Sequence, residues 1–149
     1  MKTRTKRRLT ALAAVLVVGA AAAVGARAFR GVQRERVLER RLEAGTLAYD
    51  EGRYEEAIPD LAFAYGRSDR RDAELVYRLA DARRRVPMGD GRHVSEAATY
   101  AREAVRLDPT HEPAQRLLLR LLTRMGARTE ALAAADRLLE LRPDDREAM

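Results

Sequence analysis

A short pattern occurs three times in the chain, as "GRYEEAI" at 52–58, "RHVSEAA" at 92–98 and "GARTEAL" at 126–132. The sixth position of each copy is an alanine, namely Ala57, Ala97 and Ala131. The second and third alanines are 34 residues apart, and so are Pro109 and Pro143. A repeat of this length indicates stacked supersecondary units, each of which needs its neighbour to bury its apolar face.

The sequence of each unit predicts an amphipathic helix, a short turn and a second helix, which a proline ends. In the last unit the apolar residues recur at helical spacing, as Leu132, Ala135, Leu138, Leu139 and Leu141. Pro143 cannot continue the helix because it has no N–H group to donate. Pro59 lies early in another second helix, where we expect it to weaken the first turn. The pattern predicts an all-α chain.

The spacing resembles that of the tetratricopeptide repeat, a helix pair with small residues where the helices cross. The matching small residues, which the resemblance assigns to helix packing, are Gly45, Ala57, Ala97, Gly126 and Ala131. The resemblance implies three repeats, at 38–71, 73–111 and 112–145, the second with five extra residues in its turn. Asp69 stands where the first repeat would close with proline. The implied fold is a short right-handed solenoid of three helix-turn-helix repeats.

The N-terminal segment is typical of membrane targeting. Residues 1–8 carry five basic side chains and no acidic one, and residues 9–26 are uncharged. The uncharged run is long enough to span a bilayer, and the basic flank favours a cytoplasmic N-terminus. We predict a basic cytoplasmic N-terminus at 1–8, a transmembrane signal anchor at 9–28 and a linker or helix extension at 29–37. The "ARA" sequence at 26–28 leaves a cleaved signal peptide open.

The net charge of +6 belongs to this segment, because 24 arginines and 23 acidic residues follow from residue 27 onward. A nucleic-acid-binding protein carries its positive charge on a folded face, so we predict no nucleic-acid partner. The chain has no cysteine, which excludes disulfides and thiolate metal sites. Abundant arginine and alanine with only two lysines suggest a GC-rich bacterium. The predicted location is a single-pass protein of the bacterial inner membrane, with the repeats in the periplasm or otherwise outside the cytoplasm.

No catalytic pattern is present in the sequence. The two histidines, His93 in the predicted long turn and His111 between repeats, are too isolated for a paired metal site. Neither of the two serines lies in a nucleophile elbow, and there is no phosphate-binding glycine loop. We interpret the acidic pair Asp144 and Asp145 as helix-terminus charges. We therefore predict no enzymatic activity, no cofactor and no metal.

The tetratricopeptide resemblance places binding on the concave groove that the first helices line. The groove residues that it implies are Tyr49, Tyr77, Arg84, Arg85, Arg116, Arg120 and Arg124. The last three recur every four residues and form a stripe on one helix face. Guanidinium groups bind carboxylates through paired hydrogen bonds, which favours an acidic peptide or a C-terminus as ligand. The alternative is that these arginines are solvated or paired with acidic residues of neighbouring helices, and the turn insertion is a second candidate contact surface.

The resulting prediction is a membrane-anchored protein–protein interaction module, a scaffold or assembly factor that holds a client in the concave groove. One alternative is a permanent small subunit of a larger membrane protein complex, with an apolar face near Leu132, Leu138 and Leu139 turned to a partner. The other alternative is a cleaved, soluble, exported binding protein. The predicted partners are proteins, either an acidic peptide or membrane-complex subunits, together with the membrane through residues 9–26.

Overall fold

The computed structural model describes residue 27 and residues 31–67 and 72–145. The chain divides into two compact units, Met1–Val37 and Leu38–Met149. In the first unit, residues 31–37 are helical and their side chains are exposed. The predicted basic segment and the uncharged run at 9–26 lie outside the described residues, as does Asp69. Among the helices that are described, none has the length and apolar character needed to cross a membrane.

Six helices follow one another in the described part of the chain, and the all-helical solenoid of six helices is confirmed. They are α1 (31–50), α2 (Tyr54–Arg67), α3 (Ala73–Arg85), α4 (Arg92–Leu107), α5 (Glu112–Met125) and α6 (Arg128–Leu141). Consecutive helices from α2 to α6 pack against each other, and α3 also contacts α5. The helices therefore pair in sequence, and the first helices of the second and third pairs lie side by side.

Glycines and prolines set the helix boundaries. Gly52 and Gly126 have φ angles of 77° and 73°, a left-handed conformation that other residues adopt at a cost. The N–H group of Gly126 caps α5 by donating to the carbonyl groups of its last turn. Helices α4 and α6 both end two residues before a proline, Pro109 and Pro143 respectively. Helix α2 continues through Pro59 to its end at Arg67, so this proline does not interrupt it.

The second helix pair is joined by a longer connection than the others. Residues 86–91 separate α3 from α4, whereas residues 51–53 connect α1 to α2. His93 was predicted to lie in this turn, but it is the second residue of α4 and is buried. Its Nδ1 accepts a hydrogen bond from the backbone N–H of Met88, 3.1 Å away. This contact ties the connection to α4 and makes His93 a local structural residue.

Small side chains occupy the places where helices approach closely. A Cβ atom on Gly45 would lie 3.0 Å from the Cβ of Asp60 and 3.0 Å from the backbone nitrogen of Leu61. Ala57 and Ala97 are fully buried, and Ala131 is partly buried against the core. Substitution by larger residues at such contacts forces the backbones apart.

The last helix buries only part of the apolar stripe that the sequence pattern predicts. Ala134, Ala135 and Leu138 are buried, whereas Leu132 is 67% exposed. The prediction of an apolar surface near Leu132, Leu138 and Leu139 is therefore wrong for Leu138, which belongs to the core shared by α3 to α6. A helix has 3.6 residues per turn, so positions 132 and 138 fall on different sides of α6.

Candidate functional site

A cleft of about 200 Å³ lies between α3 and α5. Helix α3 contributes one wall and α5 the other, and the lining residues are Tyr77, Asp81, Arg84, Arg85, Glu112, Pro113, Arg116, Leu117 and Arg120. Tyr77, Pro113 and Leu117 supply apolar surface between the charged groups. The cleft therefore combines three side chains with apolar surface, four guanidinium groups and two carboxylates.

Asp81 organises the α3 wall. Its side chain is 5% exposed, and it accepts hydrogen bonds from the Nη2 of Arg84 at 2.6 Å and the Nε of Arg85 at 2.6 Å. The hydroxyl of Tyr49 on α1 donates to the same carboxylate at 3.0 Å. The guanidinium of Arg85 also lies 4.8 Å from the ring centroid of Tyr54, a cation–π contact. Asp81 therefore holds two arginines in fixed positions at the edge of the cleft.

The electrostatics of this cluster keep Asp81 ionised and Tyr49 protonated. Burial raises the pKa of Asp81, but the hydrogen bonds from Arg84 and Arg85 outweigh burial and bring the pKa below its ordinary value. Burial and the adjacent charge of Asp81 raise the pKa of Tyr49 far above that of a free phenol. At neutral pH the Tyr49 hydroxyl therefore donates its hydrogen bond to an ionised carboxylate.

Two carboxylates engage Arg116 on the α5 wall. Its Nη2 lies 2.9 Å from Glu112 on the same helix and 2.5 Å from Asp145, which follows α6. The Asp145 side chain is 3% exposed. The interpretation of Asp145 as a helix-terminus charge is therefore wrong, because it is a buried partner of a cleft residue. Glu112 also contacts Arg142 at 3.1 Å, so it bridges two arginines.

A polar chain links the first helices at the opposite end of α3. Arg78 contacts Asp50 on α1 at 2.9 Å and Glu74 at 2.6 Å. Glu74 also lies 3.0 Å from the Nε2 of His111, the residue that caps α5. The Nδ1 of His111 accepts the N–H of Ala114, which assigns the ring proton to Nε2. This chain of contacts fixes the positions of α1, α3 and α5 relative to each other.

The structure brings together five of the seven residues that the sequence assigns to the groove. Tyr77, Arg84, Arg85, Arg116 and Arg120 all line the cleft. Tyr49 does not line it but supports Asp81 from α1. Arg124 is exposed and is not among the lining residues. The arginines on the α3 wall and Arg116 are paired with carboxylates, as the alternative interpretation of the groove expects.

Sequence reasoning missed residues that matter to the cleft. Glu112, Pro113 and Leu117 line it, and Asp145 holds Arg116 from outside it. The spacing of Glu112 and Arg116, four residues apart on a helix, is a signal for an ion pair that was available in the sequence. Within the described ranges, no group of three acidic or histidine residues is placed to hold a metal ion.

The fold is that of tetratricopeptide repeat domains. No protein-family model and no curated protein sequence matches the chain. Similar solved structures include the second tetratricopeptide domain of human RPAP3 in complex with the HSP70 peptide SGPTIEEVD, with a TM-score of 0.63 and 22% identity. That match covers 77% of this chain and 91% of the other.

Two further structures show the same architecture. The first tetratricopeptide domain of Spaghetti (RPAP3), bound to the HSP90 peptide SRMEEVD, has a TM-score of 0.60 and 23% identity, and the match covers 76% of this chain and 87% of that one. MamA has a TM-score of 0.64 and 22% identity, with 74% of this chain and 61% of MamA covered. At sequence identities of 22% to 23%, these matches show a shared fold.

Proposed function

We propose that this chain is a protein–protein interaction module that binds an acidic segment of a client protein in the cleft between α3 and α5. The cleft itself is the observation that carries the proposal, since four arginines line it together with Tyr77, Pro113 and Leu117. The peptides in the two RPAP3 complexes both end in the acidic sequence EEVD. That chemistry suits guanidinium groups, which bind carboxylates in a planar, paired geometry.

The size of the cleft favours a peptide side chain over a cofactor. Its volume of about 200 Å³ is below the several hundred Å³ that are typical of small-molecule and cofactor sites. In this proposal one apolar side chain of the ligand enters the cleft and a neighbouring carboxylate meets the arginines that line it. We therefore propose binding without catalysis, and a ligand that carries an acidic group next to an apolar residue.

A peptide-binding experiment on the full chain in detergent micelles tests this proposal. The probes are fluorescein-labelled SGPTIEEVD and an array of nine-residue peptides in which the number and position of acidic residues vary. Each acidic peptide has a control in which Glu and Asp are replaced by Gln and Asn. We expect the acidic peptides to bind more tightly than their amide controls, and the difference to shrink as salt is added. Equal anisotropy changes for both sets, or none for either, would contradict the proposal.

We also propose that residues 9–26 tether the module to a bacterial inner membrane, with the repeats outside the cytoplasm. The uncharged run after a basic flank supports this topology. We expect an intact-mass measurement of the native protein to give a chain that starts at Met1, extracted from membranes only by detergent. A chain that starts near Phe29 in the soluble fraction would instead support the cleaved, exported alternative. Companions at fixed stoichiometry would favour the permanent-subunit alternative.

A further inference from the structure

Helix α6 presents an exposed apolar stripe on the side away from the core. Among helices α2 to α6, it packs only against α5. Leu132 is 67% exposed, more than any other large apolar residue that the structure describes. Leu139 is partly exposed and lies seven residues later, on the same side of the helix. An exposed leucine alone needs no explanation, so the charged residues around Leu132 decide what this face can bind.

Two opposite charges flank Leu132 symmetrically. Arg128 lies four residues before Leu132, and Asp136 lies four residues after it. With 3.6 residues per turn, each lies about 40° to one side of Leu132 and about 6 Å from it along the helix axis. Both are exposed, and within the described ranges neither forms an ion pair or a side-chain hydrogen bond. On the other side of α6, by contrast, Glu130 pairs with Arg102 at 2.7 Å.

This arrangement is complementary to itself. If two copies of α6 cross antiparallel with a two-fold axis at Leu132, the two Leu132 side chains meet on the axis. Arg128 of each copy then lies opposite Asp136 of the other. A two-fold axis produces every contact twice, so one arrangement pairs all four charges.

The other antiparallel arrangement that joins the apolar residues is electrostatically worse. In it Leu132 of each copy would meet Leu139 of the other, and the two-fold axis would lie beside Asp136. The two Asp136 side chains would then be neighbours at the centre of the contact, where like charges repel each other. The charges therefore favour the arrangement centred on Leu132.

The remaining possibilities and charges do not change this choice. A parallel pair of α6 helices would place Arg128 opposite Arg128 and Asp136 opposite Asp136, which is repulsive at both positions. Arg137 lies about 140° around the helix from Leu132 and so faces away. Glu140, eight residues after Leu132, lies beyond the start of α6 in the second copy.

We infer that this chain forms an antiparallel homodimer through α6, centred on Leu132 and closed by two ion pairs between Arg128 and Asp136. None of the residues that line the cleft lies on α6, so the dimer carries two clefts and does not depend on the proposed peptide binding.

The dimer is expected to be weak. A single helix pair buries less than the roughly 800 Å² per partner of a standard interface, which suggests a Kd on the order of 100 µM. The chain is then monomeric at the low micromolar concentrations of a denaturation experiment. Tethering to one membrane, as proposed above, raises the local concentration and favours a contact of this strength.

Disulfide cross-linking of the full chain in detergent micelles tests the contact. The chain has no cysteine, so a single introduced cysteine reports on contact between copies. A disulfide needs two Cα atoms within about 7 Å, a condition met close to the two-fold axis. We expect Leu132→Cys, oxidised with copper phenanthroline, to form cross-linked dimer at least about fivefold faster than Arg137→Cys. Arg137 is the matched control because it is exposed on the same helix and faces away.

Two charge variants of Leu132→Cys test the ion pairs. Adding Arg128→Asp makes the face acidic in both flanking positions, and adding Asp136→Arg makes it basic in both. Each variant alone should cross-link about fivefold more slowly, the combined effect of losing two exposed ion pairs. An equal mixture of the two should recover the faster rate as mixed dimers, identified by mass, because every acidic position then meets a basic one. Recovery on mixing also shows that both variants fold.

Two results would overturn the inference. Equal rates for Leu132→Cys and Arg137→Cys would mean that another protein, or water alone, covers this face of α6. A fast cross-link at Leu132 that neither charge change slows would mean that the copies meet in a different arrangement. Peptide binding is measured separately on the unmodified chain, so its failure would leave the dimer standing.

Discussion

Replacing Gly45 by leucine is expected to lower the free energy of unfolding by about 3 kcal/mol. Even a Cβ atom at this position would lie 3.0 Å from the backbone nitrogen of Leu61 and 3.1 Å from its side chain. The remaining atoms of leucine would have to displace α2 from α1. Urea denaturation of the full chain in detergent, followed by far-ultraviolet circular dichroism, measures the loss.

Two alanine variants control for the intrinsic cost of glycine in a helix. Gly45→Ala should lose about 1 kcal/mol, because the gain in helix propensity offsets part of the steric cost. Gly66, near the end of α2, has no atom within 4 Å of an added Cβ. Gly66→Ala should therefore be neutral or stabilising by a few tenths of a kcal/mol. Equal stability of all three variants would show that α1 and α2 do not approach closely at Gly45.

The helical repeat was predictable because it depends on local properties. The 34-residue spacing of Pro109 and Pro143 marks two helix ends, and the structure ends α4 and α6 two residues before them. Small residues at positions 45 and 57 were also predictable, because the two helices of a pair approach each other closely where they cross. Local spacing, together with the resemblance to the tetratricopeptide repeat, therefore predicted the number and order of the helices.

The partners of charged residues were less predictable because they depend on how the helices meet. The stripe of Arg116, Arg120 and Arg124 is correct as a helix face, but it extends about 12 Å along α5. The lining of the cleft on α5 ends at Arg120, so Arg124 lies outside it. Asp145 is distant from Arg116 in sequence, and only the return of the chain after α6 brings them together.

Some of the charge pairing was nevertheless encoded locally. Asp81 precedes Arg84 and Arg85 by three and four residues, the spacings at which side chains meet on a helix. What the sequence could not indicate is that Asp81 is buried and accepts a hydrogen bond from Tyr49 on another helix. Burial turns an ordinary surface ion pair, worth little in water, into an anchor for the cleft.

Asp81→Asn is expected to lower the free energy of unfolding by about 2 kcal/mol at pH 7. Asparagine has nearly the same shape, but its amide carries no charge and directs N–H groups toward donors. Only one acceptor oxygen then remains for Arg84 and Arg85, which bind different oxygens of Asp81. The arginine that loses its acceptor can turn to water, which limits the cost. Asp136→Asn, at an exposed position on α6, is the matched control and should change stability by less than about 0.5 kcal/mol.

The pH dependence of the stability loss in Asp81→Asn separates the effect of the Asp81 charge from the effect of its shape. The pKa of Asp81 is lowered in the folded chain, so its ionised form stabilises the fold at every pH above the unfolded value of about 4. That contribution disappears as the pH falls through the lower, folded pKa. We therefore expect the difference in unfolding free energy between wild type and Asp81→Asn to be constant above about pH 5 and to shrink below about pH 4.

The pKa of Glu74 is also lowered in the folded chain, so protonation of Glu74 in acid destabilises both proteins equally and cancels from the comparison. An undiminished difference at about pH 3 would mean that Asp81 supports the cleft through packing alone.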